Sequence, residues 1–245
     1  MVTVTIDGER RQYEEGTTYE TIVREYQEKY NNRIALVTVN GKIRELFKKV
    51  KKDCEVSFFT ISDAVGHKSY VRTAIMLMIR AMQDVAEEGS LEKVKVEFAI
   101  GSGYYCSVKG KVRLDQEFID RLNGRMRELV EADLPYVKKS YPLNDAVEIF
   151  RSQNMKEKEK LFRYRRSSYV NVYCLDGYYD YYYGYMLPST GYVKYFQVFA
   201  YEDGLMLLLP DPKSPEKLPS MEPRKKLFQT LKQSDDWGNM VNVGT

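Results

Sequence analysis

Short segments of alternating polarity, each bounded by turn residues and interrupted by only a few stretches of helical spacing, constrain this chain most. VTVTI (residues 2–6) repeats with period two, Asp7-Gly8 supplies turn chemistry, and Arg10 to Glu14 returns as a second strand. Thr17 or Thr18 caps a helix with Glu20 in its first turn and Ile22, Val23 and Tyr26 as its apolar stripe. IALVTV (34–39) is the next strand, Asn40-Gly41 turns it into a short segment at Ile43, and after a lysine-rich stretch EVSFFTI (55–61) closes the unit. Strand, strand, helix, strand, strand in that order reads as a β-grasp domain.

Past Ser62 the periodicity changes. Gly66 to Ala86 predicts a long helix with Val71, Ala74, Ile75, Met78, Ile79 and Met82 on one apolar face. KVKVEFAI (93–100) alternates as a strand, Gly101-Ser102-Gly103 turns into the strand YYCSV, and Leu114 to Val130 is a second amphipathic helix. Pro142 to Phe150 predicts a third, shorter helix. A charged stretch, the strand YVNVYCL, a run of tyrosines, the strand YFQVFAYE, the turn Asp203-Gly204 and the strand LMLLL follow. Pro210 to Pro223, rich in proline and lysine, marks a linker, and Arg224 to Lys232 a last helix. The fold class expected is α+β. Its parts are a β-grasp domain over residues 1–62, a second α+β domain over 63–212, and a linker with a C-terminal helix over 213–245.

The rare residues exclude chemistry. His67 is the one histidine, so no site in the chain can use two imidazoles. Cys54, Cys106 and Cys174 lie far apart with no C-x-x-C pair, which indicates neither a zinc knuckle nor a disulfide framework. The longest apolar run, AIMLMI at 74–79, is far short of a membrane span, and the polar start has no signal-peptide core. A cytoplasmic protein with no membrane partner is expected.

The first segment resembles the TGS domain found in threonyl-tRNA synthetases and Obg-type GTPases, through the hairpin at Asp7-Gly8, the helix after Gly16-Thr17-Thr18, and LVTVNGKIREL. GSGYYCSV, EFIDRLNGRMRELVEADLPYVKKSYPLNDAVEIF and DYYYGYMLPSTGYVKYFQV look like the second additional domain of threonyl- and alanyl-type synthetases. In that domain an H-x-x-x-H pair and a C-x-x-x-H pair form the editing and metal site. The matching positions here are Thr73, Leu77, Tyr182 and Met186, so the resemblance implies a degenerate editing domain without zinc. The combination, with ISDAVGHKSYVRTAIMLMIRA and KLFQTLKQSDDWGNMVNVG, most resembles the N-terminal half of a bacterial uridine-kinase-like nucleoside kinase, an ATP-dependent phosphotransferase. No stretch fits the G-x-x-x-x-G-K-[ST] loop of such kinases, so kinase activity would belong to a C-terminal P-loop domain.

Three groups of residues are candidates for binding. Gly66, His67 and Lys68 open a helix and offer an anion grip, against the alternative of a solvated helix start. If the synthetase resemblance holds, Arg72, Tyr104, Tyr105, Tyr181, Tyr182, Tyr183 and Tyr185 converge on a ligand pocket; the alternative is a tyrosine-rich core. Residues 151–168 carry Arg151, Lys156, Lys158, Lys160, Arg163, Arg165 and Arg166 with Phe162 and Tyr164 interleaved, an RNA-binding pattern or a solvated face. The expected function is a non-catalytic nucleotide- or RNA-binding regulatory module with no catalytic residue and no cofactor, its partner a nucleotide or a tRNA-like RNA. The rival readings are a metal-free tRNA-editing-like hydrolase and a structural dimerisation module.

Overall fold

In the computed structural model, which describes residues 1–165, 167–220 and 225–240, with the backbone alone at Arg163 and over 235–240, the opening hairpin forms as the alternation predicts. β1 (Val2–Ile6) pairs with β2 (Glu9–Tyr13), and β3 (Ile34–Val39) with β4 (Lys42–Glu45). Asp7-Gly8 and Asn40-Gly41 have positive φ at both residues, as two-residue hairpin turns need. α1 (Tyr19–Tyr26) starts where the Thr18 hydroxyl accepts the Thr21 N–H, and it buries Tyr19, Ile22, Val23 and Tyr26. β5 (Cys54–Thr60) lies antiparallel to β3 and parallel to β1 in a sheet ordered β2-β1-β5-β3-β4.

α2 (Ala64–Val85) follows. In its first turn a Cβ on Gly66 would come 2.0 Å from the Thr60 carbonyl oxygen, so this glycine lets the helix pass close to the end of β5. Burial along α2 follows Tyr70, Thr73, Ala74, Leu77 and Met78, while Val71, Ile75 and Ile79 are only partly covered. The expected face was thus rotated. A polar Thr73 can be buried because its hydroxyl donates to the Ser69 carbonyl at 2.7 Å.

β6 (Leu91–Ile100) and β7 (Gly103–Gly110) form the hairpin expected at Gly101-Ser102-Gly103, and α3 (Gln116–Glu131) begins where Asp115 accepts the Phe118 N–H. β8 (Val137–Pro142), a strand the sequence reading missed, precedes α4 (Leu143–Ser152). The charged stretch folds as α5 (Lys156–Arg163), and β9 (Tyr169–Leu175) and β10 (Tyr178–Asp180) follow. β11 (Gln197–Tyr201), β12 (Gly204–Leu208) and α6 (Lys225–Met240) complete the described elements, with Arg224 outside the described residues.

By contact the chain divides into two units, Met1–Arg80 with Met126–Lys194 and Ala81–Arg125 with Tyr195–Thr245. Besides the β-grasp sheet, the first contains an antiparallel sheet ordered β10-β9-β8. Ala146 and Phe150 of α4 and Phe162 of α5 pack with Val170 and Val172 of β9, and the two phenylalanine rings stack at 5.2 Å. The second unit holds the antiparallel sheet β11-β12-β7-β6. Its aromatic core joins Tyr105, Tyr201 and Phe228, with Phe98 stacked on Tyr105 at 5.2 Å. Lys232 of α6 pairs with Asp203 at 2.5 Å. Among the described residues no helix is long and apolar enough to cross a membrane.

Candidate nucleic-acid interface

The positions that the synthetase resemblance aligns with editing ligands are mostly packing positions here. Thr73, Leu77 and Met186 have no exposed surface. The Thr73 hydroxyl also accepts the Leu187 N–H at 3.0 Å, and the Tyr136 hydroxyl donates to the Thr73 carbonyl at 3.0 Å. This set knits α2 to the segment after β10. Among the described residues no three His, Cys, Asp or Glu side chains gather as a metal site would need.

The tyrosine run behaves as a strand only to Asp180. Arg72 lies flat against the loop beyond it: a Cβ on Gly184 would meet the guanidinium carbon at 2.6 Å, and Nη1 donates to the Tyr185 carbonyl at 3.4 Å. Arg72 therefore clamps the loop backbone. Tyr181 meets Phe162 edge-on at 5.1 Å and its hydroxyl accepts from Arg165 at 2.8 Å, while Tyr182 is half-buried 6.5 Å from the Tyr173 ring. Tyr183 is 86 % exposed and Tyr185 half-buried. Tyr104 and Tyr105 belong to the second unit. Tyr105, only 3 % exposed, donates its hydroxyl to Asp203 at 2.6 Å and is a core residue, with no open face for a ligand.

His67 is half-buried and Lys68 exposed in the first turn of α2. The His67 N–H is committed to the Asp63 carbonyl at 2.8 Å, so that amide is part of the helix ladder. In α5 and the residues after it, Lys158 pairs with the buried Asp180, and Arg165 lies 5.1 Å above the Tyr181 ring. Both act within the fold, and Lys160 is exposed. The Arg163 side chain and Arg166 lie outside the described residues.

A different part of the first unit gathers free charge. A cavity of about 540 Å³ is lined by Arg44, Lys48, Lys49, Lys51, Lys52 and Lys138. The sequence passed over this lysine-rich stretch as a connection, although its spacing carried the signal. Leu46 and Val50 are fully buried and anchor the segment between β4 and β5. Its backbone is held by Tyr19 N–H to the Lys48 carbonyl at 2.9 Å, Val50 N–H to the Thr17 carbonyl at 2.8 Å, and Gly16 N–H to the Val50 carbonyl at 2.8 Å. The lysines between these anchors project outward from a fixed frame. No ion pair of the described residues involves Arg44, Lys48, Lys49, Lys51 or Lys52.

One carboxylate faces the cavity, and its charge is already met. Glu45, 2 % exposed, accepts from Lys138 Nζ at 3.0 and 3.3 Å, from the Tyr173 hydroxyl, and from the Met186 N–H at 3.3 Å. Burial, and then the Glu45 charge, holds the Tyr173 phenol well above its ordinary pKa, so it stays a donor. Tyr19, Cys54, Asn171 and Tyr185 also line the cavity. Burial pushes the Tyr19 phenol up to about 12, and it raises the Cys54 thiol as well, so neither is an ionised nucleophile at neutral pH. Tyr185 is the member of the predicted tyrosine set that lines this cavity.

The arrangement suits a polyanion. The chain is similar to threonine–tRNA ligases. It is 27% identical over 157 residues to that of Clostridium kluyveri, covering 64% of this chain and 24% of the ligase. For Thermotoga maritima the values are 26% over 195 residues, 79% and 30%, and for Symbiobacterium thermophilum 25% over 202 residues, 82% and 31%. The chain thus spans less than a third of the length of these curated relatives. No family model matches it.

Proposed function

We propose that this chain is a non-catalytic RNA-binding module whose ligand is tRNA or a tRNA-like RNA. The observation that carries this reading is the cavity rimmed by Arg44 and four lysines, the lysine segment held by backbone hydrogen bonds to Gly16, Thr17 and Tyr19, with its single carboxylate neutralised from within. Fixed cations that release counterions from a phosphate backbone give strong, salt-dependent affinity. Similarity to ligases named for tRNA supports the ligand class. The packed side chains at Thr73, Leu77 and Met186 support the non-catalytic part, because buried threonine, leucine and methionine supply no general base where the resembled editing site would hold one.

The narrower setting, a regulatory module in front of a P-loop nucleoside kinase, rests on the sequence resemblance alone. Reading the gene beyond Thr245 for a phosphate-binding loop tests it.

The binding test is a titration of the whole chain with bulk tRNA across a salt series, beside a Lys49→Ala, Lys51→Ala, Lys52→Ala variant. The plot of log affinity against log salt should flatten by about 0.7–0.9 for each lysine that neutralises a phosphate. A parent that binds no tRNA at low salt, or a variant with an unchanged slope, removes the reading.

A further inference from the structure

We propose that the basic cavity receives the terminal phosphate of a nucleotide. The inference rests on the RNA-binding reading above and narrows what enters the site. The rim is open: Arg44, Lys48, Lys49, Lys51 and Lys52 are all exposed. Glu45 and Lys138, whose side chain is 15 % exposed, also line the cavity, with the fully buried Tyr173 bonded to Glu45.

Charge points the same way. A phosphate monoester carries about 1.5 to 2 negative charges near neutral pH, whereas an internal phosphodiester carries one. Several cations around one cavity reward the denser anion. The Glu45 carboxylate would repel it, but Lys138, Tyr173 and the Met186 N–H hold that carboxylate in place. Tyr185 adds an aromatic wall against which the attached base can lie, and a volume of about 540 Å³ is of the size that takes a small ligand.

Such a phosphate is found on free nucleotides and at RNA ends. The experiment measures binding of one single-stranded RNA oligonucleotide with a 5′-phosphate, a 3′-phosphate or hydroxyls at both ends, to the whole chain and to a Lys48→Ala, Lys51→Ala variant. Competition by a nucleoside 5′-monophosphate and by its nucleoside is measured alongside. One phosphorylated form should bind about tenfold more tightly than the hydroxyl form, the effect of one charge-assisted hydrogen bond. The variant should reduce that ratio below about twofold. Competition by the monophosphate but not the nucleoside places free nucleotides in the same site; competition by phosphorylated RNA alone assigns it to RNA ends. Equal affinity of all three oligonucleotides, with salt-dependent tRNA binding intact, overturns the inference and leaves the RNA-binding reading standing. A monophosphate that binds where tRNA does not removes the RNA reading and keeps the phosphate site.

Discussion

Glu45 carries more of the first unit than its neighbours in sequence suggest. It sits at the end of a short strand, yet a lysine, a phenol and a backbone amide from residues 93 to 141 positions away converge on it. The Glu45 side chain is 2 % exposed and that of Lys138 15 %, so little solvent is on hand to compensate if one charge is removed. Glu45→Ala leaves Lys138 with no counter-charge in a largely buried position. Chemical denaturation should show a loss of about 3 kcal/mol, with Glu45→Gln losing less because its amide keeps an acceptor. A loss under about 1 kcal/mol for the alanine variant would mean that Lys138 swings to solvent.

At the level of elements, two strand-edge devices differ in how openly the sequence shows them. The connection between β4 and β5 is readable, because buried Leu46 and Val50 alternate with lysine pairs, and a segment so patterned must turn its charges outward. Asn123 is the opposite case. From the middle of α3 it donates to the Val198 carbonyl at 2.7 Å and accepts the Val198 N–H at 2.9 Å, standing in for a neighbouring strand at the edge of β11. Asn123→Ala strands both backbone groups and should cost about 1–3 kcal/mol, with faster amide hydrogen exchange along β11 before the rest of the sheet. Uniform exchange across the four strands would show that the amide is incidental. The missed strand β8 belongs here too: VKKSYP has little apolar content, and its pairing with β9 along the whole strand is what makes it a strand.

At the scale of the molecule, the 21 tyrosines are its main alkaline liability. Burial raises the phenols of Tyr136, Tyr173 and Tyr178, with Glu45 adding to the effect at Tyr173. A group whose folded pKa lies above its unfolded value contributes stability in full below the unfolded value, roughly 10 for tyrosine, and loses it as pH rises further. Stability should therefore hold through neutral pH and fall above about 10. Ultraviolet titration should show the buried phenols of Tyr136, Tyr173 and Tyr178 ionising only with unfolding. A single transition for all tyrosines without loss of secondary structure would contradict this.

The first sixty or so residues were legible because every local signal in them agrees: positive-φ turn pairs, a threonine cap and alternating strands point to the same sheet. The α+β class and most helices follow from periodicity alone. The tyrosine run was legible as an anomaly and not as a site, since its composition is the same whether a ring stacks in a core, as at Tyr105, or stands in water, as at Tyr183. The basic cavity needs Lys138 and Tyr185 brought beside a loop some ninety to one hundred and forty residues earlier in the chain. Local sequence determines which residues can be strands, caps and cations. Which cations share one cavity, and whether a carboxylate among them is neutralised, depends on long-range pairing, and that only the tertiary structure decides.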